Sequence, residues 1–259
     1  MVDIHCHILP GLDDGPDSFE TSVRMAEMAI ADGITHVVAT PHSDNTYRFD
    51  PVLVRARCDE LQAKIGDRLQ LATGCDFHLS FENFQDLRNE PTKYTINQKD
   101  FLLVEFANFA IPPGVDDTLH SMHIMGLSPI ITHPERNGLI RAKPEMLHAW
   151  ISRGCYVQVT AQSFLGRFGA GAKGFAETLL EHGCIHFIAS DAHNVDSRPL
   201  QLRPAYEAVR KLTDEETAGA LFRENPLAAY EGRSLPYVAD PPEKASALKS
   251  RRRKRFFFF

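Results

Sequence analysis

Seven short apolar runs, most of them separated by helix-length segments, constrain the fold of this chain most strongly. They are rich in β-branched and aromatic residues and cover residues 2–8, 35–40, 69–77, 101–106, 129–133, 155–160 and 185–190. Near-continuous apolar strands that alternate with helices indicate a parallel sheet covered on both faces. The chain has no glycine-rich GxGxxG loop, which argues against a Rossmann fold. We therefore expect an α/β fold built on a closed or nearly closed seven-stranded barrel.

Two capping boxes mark predicted helix starts, because in such a box two side chains satisfy free backbone N–H groups at the helix end. Asp17 pairs with Glu20 in the first box, and Thr213 pairs with Glu216 in the second. The helices predicted from these signals and from apolar periodicity cover residues 17–33, 51–65, 201–211 and 214–223.

The domain organisation follows from a change in composition near residue 235. Residues 1–235 are expected to form one domain, and residues 236–259 a tail that begins with three prolines. Six cationic residues lie between Lys249 and Arg255. They could contact an anionic lipid or an acidic partner, but the favoured interpretation is a disordered end.

Composition excludes several classes of function. The net charge of −6 argues against general nucleic-acid binding, which needs a basic face. No apolar run approaches the ~20 residues of a membrane span, and Met1 leads directly into a strand rather than a signal peptide. The five cysteines lack a CxxC spacing and fit reduced structural thiols. We therefore expect a cytoplasmic protein.

Polar side chains interrupt the apolar runs mainly at their carboxyl ends. His5 and His7 are two residues apart on one strand, so both imidazoles face the same side. The others are His42, Asp76, Glu105, His133, Asp191 and His193. Because active sites of parallel α/β barrels assemble at that end, these residues should converge. Imidazole and carboxylate donors without thiolate suit Mn²⁺, Fe²⁺ or Zn²⁺.

Six motifs carry a resemblance to a known family. HCHILPGLDDGP, ATPHS, GCDFH, LLVEF, THPERN and SDAHN occur in this order over about residues 1–230. In order and spacing the chain resembles the polymerase and histidinol phosphatase (PHP) superfamily, and specifically its bacterial capsule-type branch of manganese-dependent protein-tyrosine phosphatases. The resemblance implies a distorted seven-stranded TIM-like barrel with three metal ions, most often manganese, at its carboxyl-end mouth.

The resemblance also implies roles for individual residues. It implies three ligand sets, namely His5, His7 and Asp191 for the first metal, Glu105 and His133 for the second, and Asp14, His42 and His193 for the third, with Asp76 bridging the first and second. Arg136 and Arg198 match phosphate-binding arginines. The chain departs from the pattern at Asp76, where relatives usually carry the longer Glu.

Several neighbouring residues are alternatives or possible additions. Asp13 competes with Asp14 as a ligand, and Arg141 competes with Arg198 as a phosphate contact. His78 could support a ligand at the mouth, and Glu135 could orient an arginine or lie on the surface. A separate ligand pair is also conceivable, formed on one predicted helix by His120 and His123.

The predicted chemistry is hydrolysis of a phosphomonoester by in-line attack of metal-activated hydroxide, without a phospho-enzyme intermediate. Three divalent cations and four carboxylates leave a charge of +2, which suits a phosphate dianion and a hydroxide, whereas two cations leave zero. Phenolate, with a pKa of ~10, is a tolerable leaving group. His42 or His193 could assist by proton transfer. A cysteine-based mechanism is excluded, because no cysteine has an arginine six residues later.

The leading functional prediction is a phosphatase of phosphotyrosine in proteins, which by resemblance would act on a tyrosine kinase that controls capsule or exopolysaccharide synthesis. The alternative is a phosphatase of a small metabolite such as a sugar phosphate or histidinol phosphate. A third possibility is a catalytically silent regulatory module. Aromatic residues in the predicted loops could form the sides of a pocket for a phenyl ring, or they could belong to the core. These residues are Tyr47, Phe49, Phe106, Phe109, Phe164 and Phe168.

Overall fold

Nine strands form the centre of the fold in the computed structural model, which describes residues 1–107, 110–240 and 242–248. Each strand is short, and their bounds are β1 Val2–Cys6, β2 His36–Ala39, β3 His42–Ser43, β4 Gln70–Thr73, β5 Asp76–His78, β6 Phe101–Glu105, β7 Ser128–Thr132, β8 Tyr156–Thr160 and β9 Phe187–Ala189. Every pair of hydrogen-bonded strands is parallel. The predicted parallel α/β architecture is therefore confirmed.

The strands belong to two sheets in the described part of the chain. One sheet has the order β1-β2-β4, and the other has the order β3-β5-β6-β7-β8-β9. A cluster of buried apolar side chains includes residues of both sheets, such as Ile4, Val38, Leu103, Ile130 and Phe187. The two sheets thus share an apolar core.

The prediction of seven strands in one barrel was wrong in strand count, because one predicted strand is divided and one short strand was not predicted. The predicted strand over 69–77 divides at Gly74 and Cys75 into β4 and β5, and β3 follows β2 after Thr40 and Pro41. Proline has no N–H to contribute to a strand ladder. A Cβ atom at Gly74 would lie 3.0 Å from Val38 Cγ1, so the chain packs closely at this break.

Eleven α-helices connect and cover the strands within the described residues. Their bounds are α1 Phe19–Asp32, α2 Pro51–Ile65, α3 Phe81–Asn89, α4 Val115–Ile124, α5 Gly138–Ala142, α6 Pro144–Ser152, α7 Ala161–Phe164, α8 Gly169–Glu181, α9 Arg203–Leu212, α10 Glu215–Gly219 and α11 Asn225–Glu231. A π-helical segment, Ala220–Glu224, joins α10 to α11. The predicted final helix therefore extends eight residues further than expected, to Glu231. None of the helices in these residues is long and apolar enough to span a bilayer.

At both predicted capping boxes, the residue that caps the helix lies one position later than expected. Ser18, not Asp17, caps α1, since its side chain accepts a hydrogen bond from the backbone N–H of Thr21. Asp214, not Thr213, caps α10 by accepting from Thr217 N at 2.7 Å. The Thr213 hydroxyl instead donates to the carbonyl of Val209 in α9.

The described part of the predicted tail packs against the domain, so residue 235 does not mark the end of packed structure. Asn225 exchanges two hydrogen bonds with the backbone of Tyr237. The imidazole of His148 lies 2.6 Å from the carbonyl oxygen of Pro242, and Leu248 is buried. The second of the three tail prolines, at 241, and residues 249–259, which include the basic stretch, lie outside the described residues, where disorder stays a prediction.

Candidate metal and phosphate site

Seven of the nine predicted metal ligands lie near the carboxyl end of a strand or in the loop that follows it, whereas His42 and Asp76 are the first residues of β3 and β5, the short strands that follow β2 and β4. Four lie on strands, which are His5 in β1, His42 in β3, Asp76 in β5 and Glu105 in β6. The other five lie in loops that follow β1, β7 and β9, and they are His7, Asp14, His133, Asp191 and His193. The nine residues therefore lie towards the same edge of the sheets, as predicted.

Asp76 lies between two of the predicted histidines. Its Oδ2 atom is 3.4 Å from His5 Nε2 and 3.2 Å from His42 Nδ1. His5 Nε2 lies 3.3 Å from His7 Nε2 and 3.5 Å from Asp191 Oδ1. Four sequence-distant segments thus present donor atoms to one small volume.

A second set of contacts surrounds Asp14. Its Oδ1 atom lies 3.2 Å from His193 Nε2 and 3.4 Å from His42 Nε2. His133 Nε2 lies 3.6 Å from Glu105 Oε1 on a neighbouring strand. All nine predicted ligands are thus near one another, and Asp14 rather than Asp13 faces the histidines of this set.

The donor atoms form four overlapping groups that could hold metal ions. These groups are His7, Asp14, His42 and His193; His5, His7 and Asp76; His5, His133 and Asp191; and His42, Asp76 and Glu105. Both oxygens of Asp76, His42 Nδ1 and His193 Nε2 are buried without a hydrogen-bond partner. Burying a polar atom without a hydrogen-bond partner costs free energy, and a bound cation can supply the missing interaction. The donor set therefore fits divalent metal ions, although the overlap does not divide it into three separate sets.

The two predicted phosphate-binding arginines meet at Asp191. Arg136 Nη1 and Arg198 Nη2 both donate to Asp191 Oδ2, the second at 2.6 Å. The other oxygen, Oδ1, faces His5 and His7 at 3.5 Å each. One carboxylate therefore separates a cluster of donor atoms from a pair of guanidinium groups.

One loop, residues 165–168 between α7 and α8, contacts the segments that carry both arginines. The guanidinium of Arg136 lies over the ring of Phe168, 4.6 Å from its centroid. Arg167 donates to the carbonyl of Ser197, next to Arg198, at 3.1 Å. The loop therefore supports the guanidinium of Arg136 and the backbone next to Arg198.

The backbone is strained at two of the predicted ligands. His133 has φ 34° and Asp191 has φ 52°, a region that residues other than glycine rarely adopt. Backbone hydrogen bonds hold both residues, from His133 N to Gln158 O and from Asp191 N to His5 O. Strain of this kind is commonly found where side chains are fixed for function.

Burial and neighbouring charges shift the pKa values of the carboxylates and imidazoles at this site in different directions. Burial alone would raise the pKa of Asp76, but His5 and His42 outweigh it and hold that pKa well below 3.8. Burial likewise lowers the pKa of His42, yet Asp14 and Asp76 raise it to about 12. Burial lowers the pKa of His193 to about 4. Neighbouring residues whose pKa values are strongly shifted in opposite directions are typical of a functional site.

The cavity at this site has a volume of about 280 Å³ and a predominantly polar lining. Its lining residues are Asp14, His42, Asp44, His78, Glu105, Phe106, Ala107, His133, Arg136, Asp191 and Arg198. Of the loop aromatics, Phe49 and Phe164 belong to the core, whereas Tyr47 and Phe168 are half-buried. Phe109 lies outside the described residues.

The remaining alternatives have distinct positions. Arg141 donates to the carbonyls of Glu135 and Arg136, so it supports the loop instead of facing the cavity. Glu135 is fully buried and accepts from Thr160 N and the Ser163 hydroxyl, which contradicts a surface position. His78 Nδ1 lies 3.8 Å from Glu105 Oε2.

The histidine pair on α4 is separate from this site. His120 and His123 line another cavity of about 440 Å³, beside Trp150 and Cys155. In the described part of the chain, no group of three potential ligands includes either histidine. The ligand pair considered from the sequence therefore gains no support.

Sequence reasoning missed the contacts of Asp13 and Gln158. Asp13 accepts from His7 Nδ1, and Gln158 accepts from His5 Nδ1. The glutamine in the middle of the apolar run YVQVT was a signal for the second of these residues.

Comparison with known proteins places this site in a family. A family model described as capsular polysaccharide synthesis, CpsB/CapC, matches residues 1–231. Tyrosine-protein phosphatase YwqE of Bacillus subtilis (strain 168) is 34% identical over 263 aligned residues, which cover 100% of both chains. Tyrosine-protein phosphatase CpsB of Streptococcus pneumoniae is 28% identical over 235 residues, 87% of this chain and 96% of CpsB.

Solved structures agree with the sequence comparison. One structure, from work on YwqE and CpsB as unique metal-dependent tyrosine phosphatases, has a TM-score of 0.87 and 33% identity and covers 93% of this chain and 98% of that chain. Histidinol phosphate phosphatase of Lactococcus lactis, with a TM-score of 0.54 and 14% identity over 86% of this chain and 96% of that chain, shares the fold alone. The resemblance inferred from the six motifs is confirmed, and the chain belongs to the CpsB/CapC family.

Proposed function

We propose that this chain is a metal-dependent phosphatase that hydrolyses phosphotyrosine in proteins. The observation that carries the proposal is Asp191, whose Oδ1 faces His5 and His7 while Oδ2 accepts from Arg136 and Arg198. A cation site beside two guanidinium groups suits a phosphate dianion held between both. The names of the relatives YwqE and CpsB support phosphotyrosine as the substrate.

We infer that the site holds three divalent ions, with Mn²⁺ preferred and Fe²⁺ or Zn²⁺ as alternatives. The proposed sets are His5, His7 and Asp191; Glu105 and His133; and Asp14, His42 and His193, with Asp76 shared between the first two. Such ions lower the pKa of water towards neutrality and neutralise charge on phosphoryl oxygens. The unpartnered buried oxygens of Asp76 support its shared role despite its shorter side chain.

The chain's own residues then bind and orient the phosphoryl group. Arg136 and Arg198 each offer planar N–H donors, and these can turn from Asp191 to two phosphoryl oxygens. Phe168 keeps the Arg136 guanidinium in place by stacking. His42 and His193 are also proposed to assist proton transfer to the leaving phenolate, which each can do only while its ring is not bound to a cation.

The cavity dimensions favour recognition of a phosphoryl group with an attached ring, while the rest of the substrate stays outside. Its volume of about 280 Å³ is at the small end for ligand pockets. Tyr47 stacks near His42 with 6.1 Å between ring centroids, and Phe168 lies beside Arg136. These two half-buried rings are the proposed contacts of the tyrosine ring.

The proposed partner is a tyrosine kinase that controls capsule or exopolysaccharide synthesis. The family description, capsular polysaccharide synthesis, supports this assignment. A cytoplasmic location is proposed as well, and it is supported by the five cysteines, all of them free.

We also propose that the two sheets together form the distorted barrel expected from the sequence. An isolated parallel bridge between Cys6 and Ala192 links the end of β1 to the segment after β9. At the opposite junction, Gly74 N donates to Ala39 O at 2.9 Å and Asp76 N donates to Pro41 O at 3.1 Å. Both contacts support continuity between the sheets.

The first test is hydrolysis by metal-quantified protein, with phosphotyrosine peptides set against phosphoserine peptides, sugar phosphates and histidinol phosphate. We expect selective turnover of phosphotyrosine that is lost on chelation and restored by Mn²⁺. A preference for one of the metabolites would move the protein to the alternative function, and absence of all hydrolysis at full metal occupancy would indicate a silent module.

The second test separates phosphate binding from metal binding. Arg136→Ala should leave metal content unchanged and weaken inhibition by inorganic phosphate roughly 10- to 100-fold, since hydrogen bonds to charged groups contribute about 1.5–3 kcal/mol. Arg153→Ala, which removes an exposed arginine paired with Asp116, is the matched control. Unchanged phosphate inhibition in Arg136→Ala would contradict the assigned role.

A further inference from the structure

Two polar side chains outside the nine predicted ligands hold the far nitrogens of His7 and His5. Asp13 Oδ2 lies 2.6 Å from His7 Nδ1 and also accepts from the backbone N–H of His42 at 3.0 Å. Its other oxygen accepts from Gly15 N at 2.9 Å. Asp13 is therefore fixed by three hydrogen bonds that join the loop after β1 to the start of β3.

Gln158 makes the corresponding contact from β8. Its side-chain Oε1 lies 2.9 Å from His5 Nδ1, and its backbone carbonyl accepts from His133 N at 2.8 Å. The residue is fully buried, and its Nε2 has no hydrogen-bond partner. One glutamine thus contacts two predicted ligands, the ring of His5 and the backbone of His133.

These contacts determine which ring nitrogen carries the proton. A carboxylate or an amide oxygen can only accept, so the Nδ1 atom that faces it must be the N–H donor. The Nε2 atoms of a neutral ring then keep their lone pairs, which is the form that binds metal. His5 Nε2 and His7 Nε2 lie 3.3 Å apart and point to the same space, which is compatible with a shared or adjacent cation.

We propose that Asp13 and Gln158 are positioning residues, which select the Nδ1–H tautomer of His7 and His5 and fix both rings with Nε2 towards the metal site. The inference rests on the proposed metal site. The negative charge of Asp13 also increases the electron density on His7, whereas neutral Gln158 only orients His5. Asp13 is therefore the stronger contributor to affinity.

The experiment combines two measurements on the full chain. The first is the tautomeric state of the neutral histidine rings, read from ¹⁵N shifts of the imidazole nitrogens in chelator-treated protein at a pH high enough to deprotonate both rings. The second is Mn²⁺ and Zn²⁺ affinity, measured by competition with a chromophoric chelator. We expect Asp13→Ala and Gln158→Leu to abolish the Nδ1–H preference of His7 and His5 respectively. Metal affinity should fall roughly 10- to 100-fold, as for other residues that orient metal-bound histidines.

Two control variants show the effect of losing a hydrogen-bonding side chain that does not belong to the proposed metal site. Asp32→Ala removes a buried carboxylate that accepts from Leu202 N and Arg203 N at the beginning of α9. Gln62→Leu removes a side chain that bonds Gly66, Leu69 and Leu71. Both controls should leave the tautomers and the metal affinity of folded protein unchanged.

Conservative variants keep the test informative if a truncated side chain prevents folding. Asp13→Asn and Gln158→Glu retain an acceptor oxygen and should preserve the tautomer, and Asp13→Asn should lose less affinity than Asp13→Ala. Unchanged tautomers and affinity in Asp13→Ala and Gln158→Leu would overturn the inference. If the wild-type protein bound no metal, the proposed function would fail, whereas the tautomer measurement would still test the hydrogen-bonding assignment separately.

Discussion

Cys6, Cys58, Cys75, Cys155 and Cys184 are all free and buried. Burial raises the pKa of Cys155 to about 12 and that of Cys58 and Cys184 to about 11. Since the thiolate is the reactive form, none of these groups is a nucleophile at neutral pH. We expect treatment of the native protein with iodoacetamide at pH 7.5 to leave phosphatase activity within about twofold.

The control for this prediction is the same treatment in urea, after which mass spectrometry should show all five cysteines alkylated. Activity that falls in proportion to alkylation of one cysteine in the native protein would contradict a thiol-independent mechanism.

Single residues also show how far the site could be predicted. The convergence of His5, Asp76 and Asp191 followed from parallel topology, because every parallel strand delivers its carboxyl end to the same side. The acceptor role of Asp13 did not follow, because Asp13 and Asp14 are adjacent and a turn decides which carboxylate faces the histidines. Glu135 was misjudged as a possible surface residue, because its two buried donors come from Thr160 and Ser163, distant in sequence.

At the scale of secondary-structure elements, the beginning of α1 provides a direct test of helix capping. Ser18 accepts from Thr21 N, whereas Asp17, the cap expected from the sequence, lies one residue outside. Ser18→Ala should lower the free energy of unfolding by about 1 kcal/mol, because a free N–H at the helix end loses its partner. Urea denaturation checks this value, and Asp17→Ala is the matched control with little expected change. A larger loss in Asp17→Ala would show that the sequence-based assignment was right.

Element boundaries were less predictable than element types. Apolar periodicity identified α2 over the same residues, 51–65, that the structure shows. It could not locate the breaks at Pro41 and Gly74, because local sequence does not show that Gly74 must approach Val38 closely. The π-helical segment before α11 was also missed, because helices rarely continue to a proline such as Pro226.

At the scale of the whole molecule, His186 links stability to pH. Burial lowers the pKa of His186 to about 4, and its Nδ1 accepts from Val157 N, so the folded state holds it neutral. Between pH 4 and 6.5 the unfolded chain binds this proton and the folded chain does not, so stability rises with pH across that window. The expected gain is about 3 kcal/mol, present in full above pH 6.5 and lost as pH falls towards 4.

Urea denaturation of wild type and His186→Gln at several pH values measures this contribution as a difference. The difference should grow from pH 4 to 6.5 and then remain constant. The exposed His120→Gln substitution is the matched control, and a difference independent of pH would contradict the assignment.

The overall architecture was more predictable than its division into sheets. When a helix connects two successive strands, it brings the chain back to the starting edge of the sheet, so the next strand pairs in parallel. Every observed strand pair is parallel. Packing of distant residues decides where one sheet ends and the next begins, and this packing is not encoded locally. The same applies to residues 236–240 and 242–248, whose prolines suggested a separate tail although Asn225 holds Tyr237 against the domain.

In the proposed site, Asp191, with one oxygen towards the histidines and the other towards two arginines, would make cation and anion binding thermodynamically linked. A cation at Oδ1 would draw negative charge away from Oδ2 and loosen its attraction for Arg136 and Arg198, which would free their donors for phosphate. Linkage is reciprocal, so phosphate must tighten cation binding by the same factor. The protein should therefore retain its metal ions best while it is working on substrate.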